Sequence, residues 1–141
     1  MPSHRFLIDE VEAGPSGSKI AAFFDMDRTL IYGFSAQDLF IEQITSGELA
    51  MDGVVDQVSQ AVKFARGKID FAELVTRTAK HLRGQVDSRN YEFGRKVFAK
   101  RIASRIYPEA RLLIDAHLKK GHVVVIVSAA TPYQVEPVAN D

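Results

Sequence analysis

Asp25 and Asp27 are two carboxylates separated by one residue, directly behind the apolar run Ile20-Ala21-Ala22-Phe23-Phe24. Unpaired charges are costly to bury, so such a pair at the end of an apolar run sits at a cation or at a working site rather than in packing. One carboxylate can attack phosphorus and form an aspartyl-phosphate, splitting one hard displacement into two easier ones. The other can protonate the leaving alkoxide and later take a proton from the attacking water. Carboxylate and phosphate are both negative. A hard cation with oxygen ligands is therefore needed between them, and Mg²⁺ is the natural choice.

Positioning such a pair requires a rigid support. The run ending at Asp25 is short, continuous and apolar, as expected of a strand buried on both faces in a parallel sheet. Val123-Val124-Val125-Ile126-Val127, ending at Ser128, is β-branched throughout and predicts a second strand. Between them the spacing is helical. Val54, Val58, Ala61, Val62 and Ala65 trace one face of a helix, and Phe71, Leu74, Val75, Thr78 and Leu82 trace another behind a capping-box pair, Asp70 and Glu73. Shorter helices are expected over 35–45 and 88–105. Pro108 and Gly121 bracket a helix whose buried stripe would be Ala110, Leu113, Ile114, His117 and Leu118. After Ser128, Thr131 and Gln134 form an N-cap pair for a last helix with Pro132 at its first position. This is a βαβ unit with a helical block inserted after the first strand. Ligands of open α/β sheets bind beyond the carboxyl ends of the strands, which is where Asp25 and Ser128 both fall.

Bulk properties narrow the classes further. Eighteen acidic and 18 basic side chains cancel, so no global field draws the chain to nucleic acid or to anionic membranes. The absence of cysteine excludes disulfides, thiol catalysis and thiolate metal sites. His4, His81, His117 and His122 have no ligand spacing; His117 reads as a satisfied core histidine, and His81 and His122 offer no partner set. No apolar run approaches the ~20 residues of a membrane-spanning helix. Asp9, Glu10 and Glu12 stand where a signal peptide needs its apolar region, so a cytoplasmic location is expected. Gly14-Pro15-Ser16-Gly17-Ser18 marks residues 1–18 as a flexible lead-in. Arg95, Lys96, Lys100, Arg101 and Arg105 read as a solvated basic helix face, and the phenylalanines from Phe34 to Phe98 as core of the helical block.

With these elements in place the sequence resembles the haloacid dehalogenase superfamily. That family's first motif is a strand followed by Asp-x-Asp-x-Thr, matched by Asp25-Met26-Asp27-Arg28-Thr29; its second is a strand ending in Ser or Thr, matched by Val123 to Ser128. The helical insert resembles the cap of the phosphoserine-phosphatase-like branch. Tyr107-Pro108-Glu109-Ala110 and Ser128-Ala129-Ala130-Thr131-Pro132-Tyr133 resemble a bacterial subgroup, some of whose members are fused to a glycerolipid acyltransferase. The resemblance implies a partial Rossmann-like α/β core, residues 19–33 and 106–141, around a helical cap, residues 34–105. It implies a Mg²⁺-dependent phosphomonoesterase with Asp25 as nucleophile and metal ligand. Asp27 would be the general acid/base, its carbonyl also meeting the metal. Thr29, Ser128 and Ala129 would serve the substrate phosphoryl group, Thr29 by bracing the loop. The expected substrate is a small phosphorylated metabolite or a lipid-linked phosphate ester.

Three departures shape these expectations. Arg28 replaces a small residue, where it would either crowd the loop or add a phosphate contact. Phe34 stands where phosphoserine phosphatases carry an acid that reads the substrate amine, which argues against phosphoserine. The family's later Lys and metal-binding acids have no counterpart after Ser128, where the only acids are Glu136 and Asp141. The chain is therefore expected to be an incomplete piece, inactive alone, of a product with a C-terminal continuation or acyltransferase domain. The alternative is a non-catalytic phosphate-ester-binding or structural module derived from the family.

Overall fold

Parallel strands need a long crossover, and this chain places most of its length in one. The structure is a computed structural model that describes residues 4–48 and 51–141; the side chains of Phe71, Thr78 and His81 also lie outside the described residues. After helix α1 (His4–Ala13), strand β1 (Ala21–Asp25) leads into four helices, α2 (Ser35–Thr45), α3 (Met51–Ala65), α4 (Phe71–Ala79) and α5 (Asp87–Val97). Helix α6 (Pro108–Lys119) returns to strand β2 (Val123–Val127), and α7 (Pro132–Ala139) follows. The strands pair in parallel, Ala21 opposite Val123 and Asp25 opposite Val127. This is the expected α/β plan with its helical insert. Among the described residues no helix is long and apolar enough to cross a membrane.

Side chains alternate across the sheet, so the register sorts them into two faces. Phe24 and Ile126 pack against the buried cluster, and the Phe24 ring meets His117 of α6 edge-on at 6.0 Å. On the other face Ala21, Phe23, Asp25, Val123 and Val127 are exposed, Phe23 by 67%. Burial on both faces was the expectation; here only one side is covered, because α6 packs on the face that carries Phe24.

The core lies below the strand ends rather than between sheet and helix. Its buried members are Met26, Leu30 and Ile31 of the loop after β1, together with Val97, Ile102 and Val138. Val97 and Ile102 are five residues apart, about 140° around an α-helix and so on different faces. A π-helical turn over Phe98–Ile102 follows α5, and its wider winding carries both side chains into the core. A 3₁₀ turn over Ala103–Arg105 completes the segment expected as one continuous helix.

The basic residues of that segment are more than a solvated face, although Arg95, Lys96 and Lys100 each keep over half of their side-chain surface exposed. Glu42 of α2 is buried, and Lys96, Lys100 and Arg101 surround it at 3.5, 3.0 and 2.9 Å. Arg105 bonds Asp38, also buried on α2, and Arg95 lies 3.8 Å from Glu136 of α7. A buried carboxylate must be paired, so two acids of α2 recruit cations from the far end of the insert.

Three other expectations change in detail. Residues 4–13, read as part of the flexible lead-in, form α1, because Leu7, Ile8 and Val11 at helical spacing give it a stripe that meets α6. Of the expected inner stripe of α6, Ala110 and Ile114 pack on the core and His117 meets Phe24, whereas Leu118 is exposed and Ala116 is buried instead. At α4 the Glu73 N–H donates to Asp70 Oδ1 at 2.7 Å, but the Glu73 carboxylate turns to Arg77, leaving half a capping box.

Helix α5 approaches α7 closely at Gly94. A Cβ there would stand 2.0 Å from the Tyr133 carbonyl oxygen, which Pro137, having no N–H, leaves free within its helix. Gly94→Ala is expected to cost about 1–3 kcal/mol in urea unfolding; an unchanged midpoint would refute the contact. The Lys100 ammonium, with Arg101, holds the Glu42 carboxyl down to about 2 against burial that pushes it up. A depressed carboxyl stabilises the fold above its unfolded value and loses that contribution as pH falls toward the folded one. Stability should thus decline between about pH 4.5 and 2. Glu42→Gln should be less stable at neutral pH and flatter over that window, and parallel curves would contradict it.

Candidate active site

The end of β1 and the loop behind it form one hydrogen-bonded unit. The Met26 carbonyl accepts from the N–H groups of Leu30 and Ile31 at 2.9 and 3.1 Å, and the Leu30 carbonyl accepts from Tyr107 N–H at 2.9 Å. Tyr32 N–H donates to the Arg105 carbonyl at 2.9 Å. Met26, Leu30 and Ile31 are buried in the core, whereas Asp25 and Thr29 are exposed and Asp27 is half-buried.

The two carboxylates have unlike surroundings. Asp25 is exposed; its Oδ2 accepts from the Thr29 hydroxyl at 2.9 Å, and Oδ1 has no partner among the described residues. Asp27 is committed on both oxygens. Oδ1 accepts from Ser35 N–H at 2.7 Å and Oδ2 from the Ser35 hydroxyl at 3.2 Å. Ser35 opens α2, so its N–H is one of the orphan donors of a helix N-terminus, where a carboxylate is favoured electrostatically. The Ser35 hydroxyl in turn accepts from Gln134 Nε2 at 2.8 Å, and Gln134 Oε1 accepts from the N–H and hydroxyl of Thr131. Ser35 and Gln134 are buried. The expected cap pair of α7 is thus also the anchor of Asp27.

Sequence reasoning missed Ser35 and the second task of Gln134. The serine at a helix start was a visible signal, but its partner lies 99 positions away.

Arg28 takes a left-handed conformation with φ 63, rare for a residue with a Cβ, and its N–H bonds the Gly33 carbonyl at 3.0 Å. Its guanidinium stands 5.7 Å over the ring of Phe34. The loop therefore accommodates Arg28 by a backbone twist and carries its side chain against Phe34. Phe34 itself is partly exposed rather than core.

Ser128 follows the residue paired with Asp25, so the register brings both to one end of the sheet. Its hydroxyl accepts from Ala130 N–H at 3.1 Å, and Ala129 is exposed. A shallow depression of about 350 Å³ contains Ser128 with Ile126 and Glu136. The larger cavity, about 540 Å³, lies in the insert among Leu39, Phe40, Arg89, Phe93 and Tyr133. Thr131 and Gln134 line it and connect it to the anchor of Asp27.

Among the described residues no three His, Asp or Glu side chains gather as a metal cluster. Mg²⁺, however, is commonly held by one or two carboxylates, several waters and substrate phosphate. The free, exposed Oδ1 of Asp25 suits that mode. The Asp27 carboxylate, spent on Ser35, does not.

Comparison with known proteins decides the family. The family model described as haloacid dehalogenase-like hydrolase matches residues 22–141, most of the chain. The chain belongs to the haloacid dehalogenase-like hydrolases. The crystal structure of a HAD family hydrolase from Salmonella enterica subsp. enterica serovar Typhi is similar at a TM-score of 0.61 and 18% identity, over 99% of this chain and 47% of that one. The likeness supports the fold, and the chain spans about half the length of that hydrolase. The comparison with curated proteins gives no match. In this HAD-like chain, Ser35→Ala should cost about 1–3 kcal/mol in urea unfolding, because the amide of buried Gln134 loses its acceptor. A change below about 0.5 kcal/mol would mean the Asp27–Ser35–Gln134 chain does not form.

Proposed function

We propose that this chain supplies the nucleophile half of a Mg²⁺-dependent phosphomonoesterase of the phosphoserine-phosphatase-like branch. The observation that carries the reading is the asymmetry of the two carboxylates. Asp25 keeps an open, exposed oxygen at the end of a strand, whereas Asp27, two residues on, is locked to a helix N-terminus. An open oxygen is what a nucleophile needs, and a fixed carboxyl beside it suits proton transfer.

In this reading Asp25 Oδ1 attacks phosphorus and the leaving alkoxide departs with a proton from Asp27. Water, deprotonated by Asp27, then releases phosphate from the aspartyl-phosphate. Thr29 orients Asp25 by its bond to Oδ2, and Ser128 with the backbone at Ala129 holds phosphoryl oxygens. Asp25 and the Asp27 carbonyl would hold Mg²⁺, which when bound neutralises charge between carboxylate and phosphate. The core is assigned to 19–33 and 106–141 and the cap to 34–105, with the later Lys and acids on a continuation of the chain. Phe34 under Arg28 disfavours an amine-bearing substrate, leaving another small phosphorylated metabolite or a lipid-linked phosphate ester, met in the cytoplasm. The engagement of both Asp27 oxygens favours, as a second reading, a module that binds phosphate esters without turnover.

The test is Mg²⁺-dependent phosphate release from a panel of phosphomonoesters, by this chain and by a longer one continuing its reading frame. The longer chain should turn over, and this chain alone should be at least ~10²-fold slower for want of charge stabilisation. Asp25→Asn should lower the rate by ~10³-fold or more. Binding without turnover in both forms would favour the second reading, and activity surviving Asp25→Asn would overturn the first.

A further inference from the structure

His117 and His122 face each other because of how α6 ends. Gly121 takes φ 74; its N–H donates to the Leu118 carbonyl at 2.9 Å, and His122 N–H donates to the His117 carbonyl at 3.1 Å. This double bond pattern reverses the chain after the helix and folds His122 back over its last turn. The two Nδ1 atoms are 2.9 Å apart, and His122, only 8% exposed, has Nε2 at 2.8 Å from the Pro15 carbonyl oxygen.

The protons on this relay are set by elimination. A carbonyl only accepts, so His122 Nε2 carries a hydrogen. A neutral His122 then has a bare Nδ1, and the hydrogen between the rings belongs to His117 Nδ1. One added proton, on His117 Nε2, keeps both hydrogen bonds but puts a charge on a half-buried ring. A second would put two N–H groups head to head and two charges side by side.

The relay ends on the segment that ties α1 to the body. Pro15 lies between α1 and β1, where Gly17 N–H donates to the Lys120 carbonyl at 2.9 Å and Lys120 Nζ donates to the Glu12 carbonyl at 3.0 Å. No residue of α1 is fully buried, so these polar bonds add to the packing of its apolar stripe on α6.

We infer that His117, His122 and the Pro15 carbonyl form a pH-sensitive clamp, which holds α1 and the 14–18 turn on α6 while the pair is neutral and releases them on protonation. The surroundings offer no relief for added charge. The charged and titratable groups on the packed elements are His4, Arg5, Asp9, Glu10 and Glu12 of α1, Lys19 just after the turn, Asp25 of β1, and Glu109, Arg111, Asp115, Lys119 and Lys120 of α6. Among the described residues none of their carboxylates is within ion-pair distance of either imidazole, and β1 presents the apolar ring of Phe24. Burial, and then the charge of His122, pull His117 below the ordinary 6.5. A base so lowered binds fewer protons docked than undocked, so docking is strongest above about pH 6.5 and weakens as pH falls below it.

The experiment is an NMR titration of the whole chain from about pH 8 to 5, following imidazole nitrogens and backbone order parameters. Order parameters in α1 should fall from about 0.85 to below about 0.6, reversibly, with the same midpoint as the imidazole signals of His117 or His122 and with α5 unchanged. His122→Gln should remove that midpoint from α1. Imidazoles that titrate while α1 stays rigid, or α1 loosening with the same midpoint in His122→Gln, would overturn the clamp. If His122→Gln does not fold, the wild-type coincidence of midpoints decides alone.

Discussion

The chemistry at the strand ends depends on the burial of three residues that contribute none of it. Met26, Leu30 and Ile31 form the centre of the hydrophobic core, on the same strand end and loop as the polar residues Asp25, Asp27 and Thr29. Large apolar side chains each contribute roughly 1.5–3 kcal/mol when fully buried. The loop is therefore not a mobile connector bearing two acids. It is core on one side and active-site candidate on the other, and the Met26 carbonyl, accepting from successive N–H groups, keeps the two sides in register.

Polar groups then divide into those the fold commits and those it leaves open. Asp27, Asp38 and Glu42 all have their carboxylates engaged: Asp27 accepts from Ser35, which Gln134 holds in turn, while Arg105 pairs Asp38 and the Lys96–Lys100–Arg101 cluster pairs Glu42. Each anchors α2, directly or through its first residue, to a different element. Asp25 stands apart, with one short-range bond to Thr29 and one oxygen free. A carboxylate that the fold does not use for its own cohesion is open to other groups, and this contrast separates two motif acids that their spacing leaves alike.

The exposed face of the sheet is apolar along much of its length. Phe23, Val123 and Val127 form an apolar strip beside Asp25, and the matched crystal structure is about twice as long as this chain. Membership of the haloacid dehalogenase-like hydrolases rests on residues 22–141, which include that strip.

Much of this was legible in the order of residues. Continuous β-branched and apolar runs specified both strands, because a strand is recognisable from four or five neighbours. Asp25, Asp27 and Thr29 were readable for the same reason, being consecutive with one strand, and Pro108 and Gly121 marked the ends of α6 through backbone constraints local to each residue. What the tertiary structure decided were matters of partnership. Whether Arg101 meets water or Glu42, whether Gln134 only caps its own helix or also holds Ser35, and whether His122 has any partner depend on residues tens of positions away. The π-helical turn belongs with these, since only the shared core tells Val97 and Ile102 to face the same way. Local backbone preference is written in neighbouring residues, whereas the pairing of buried polar groups is settled only when packing brings distant ones within hydrogen-bond reach.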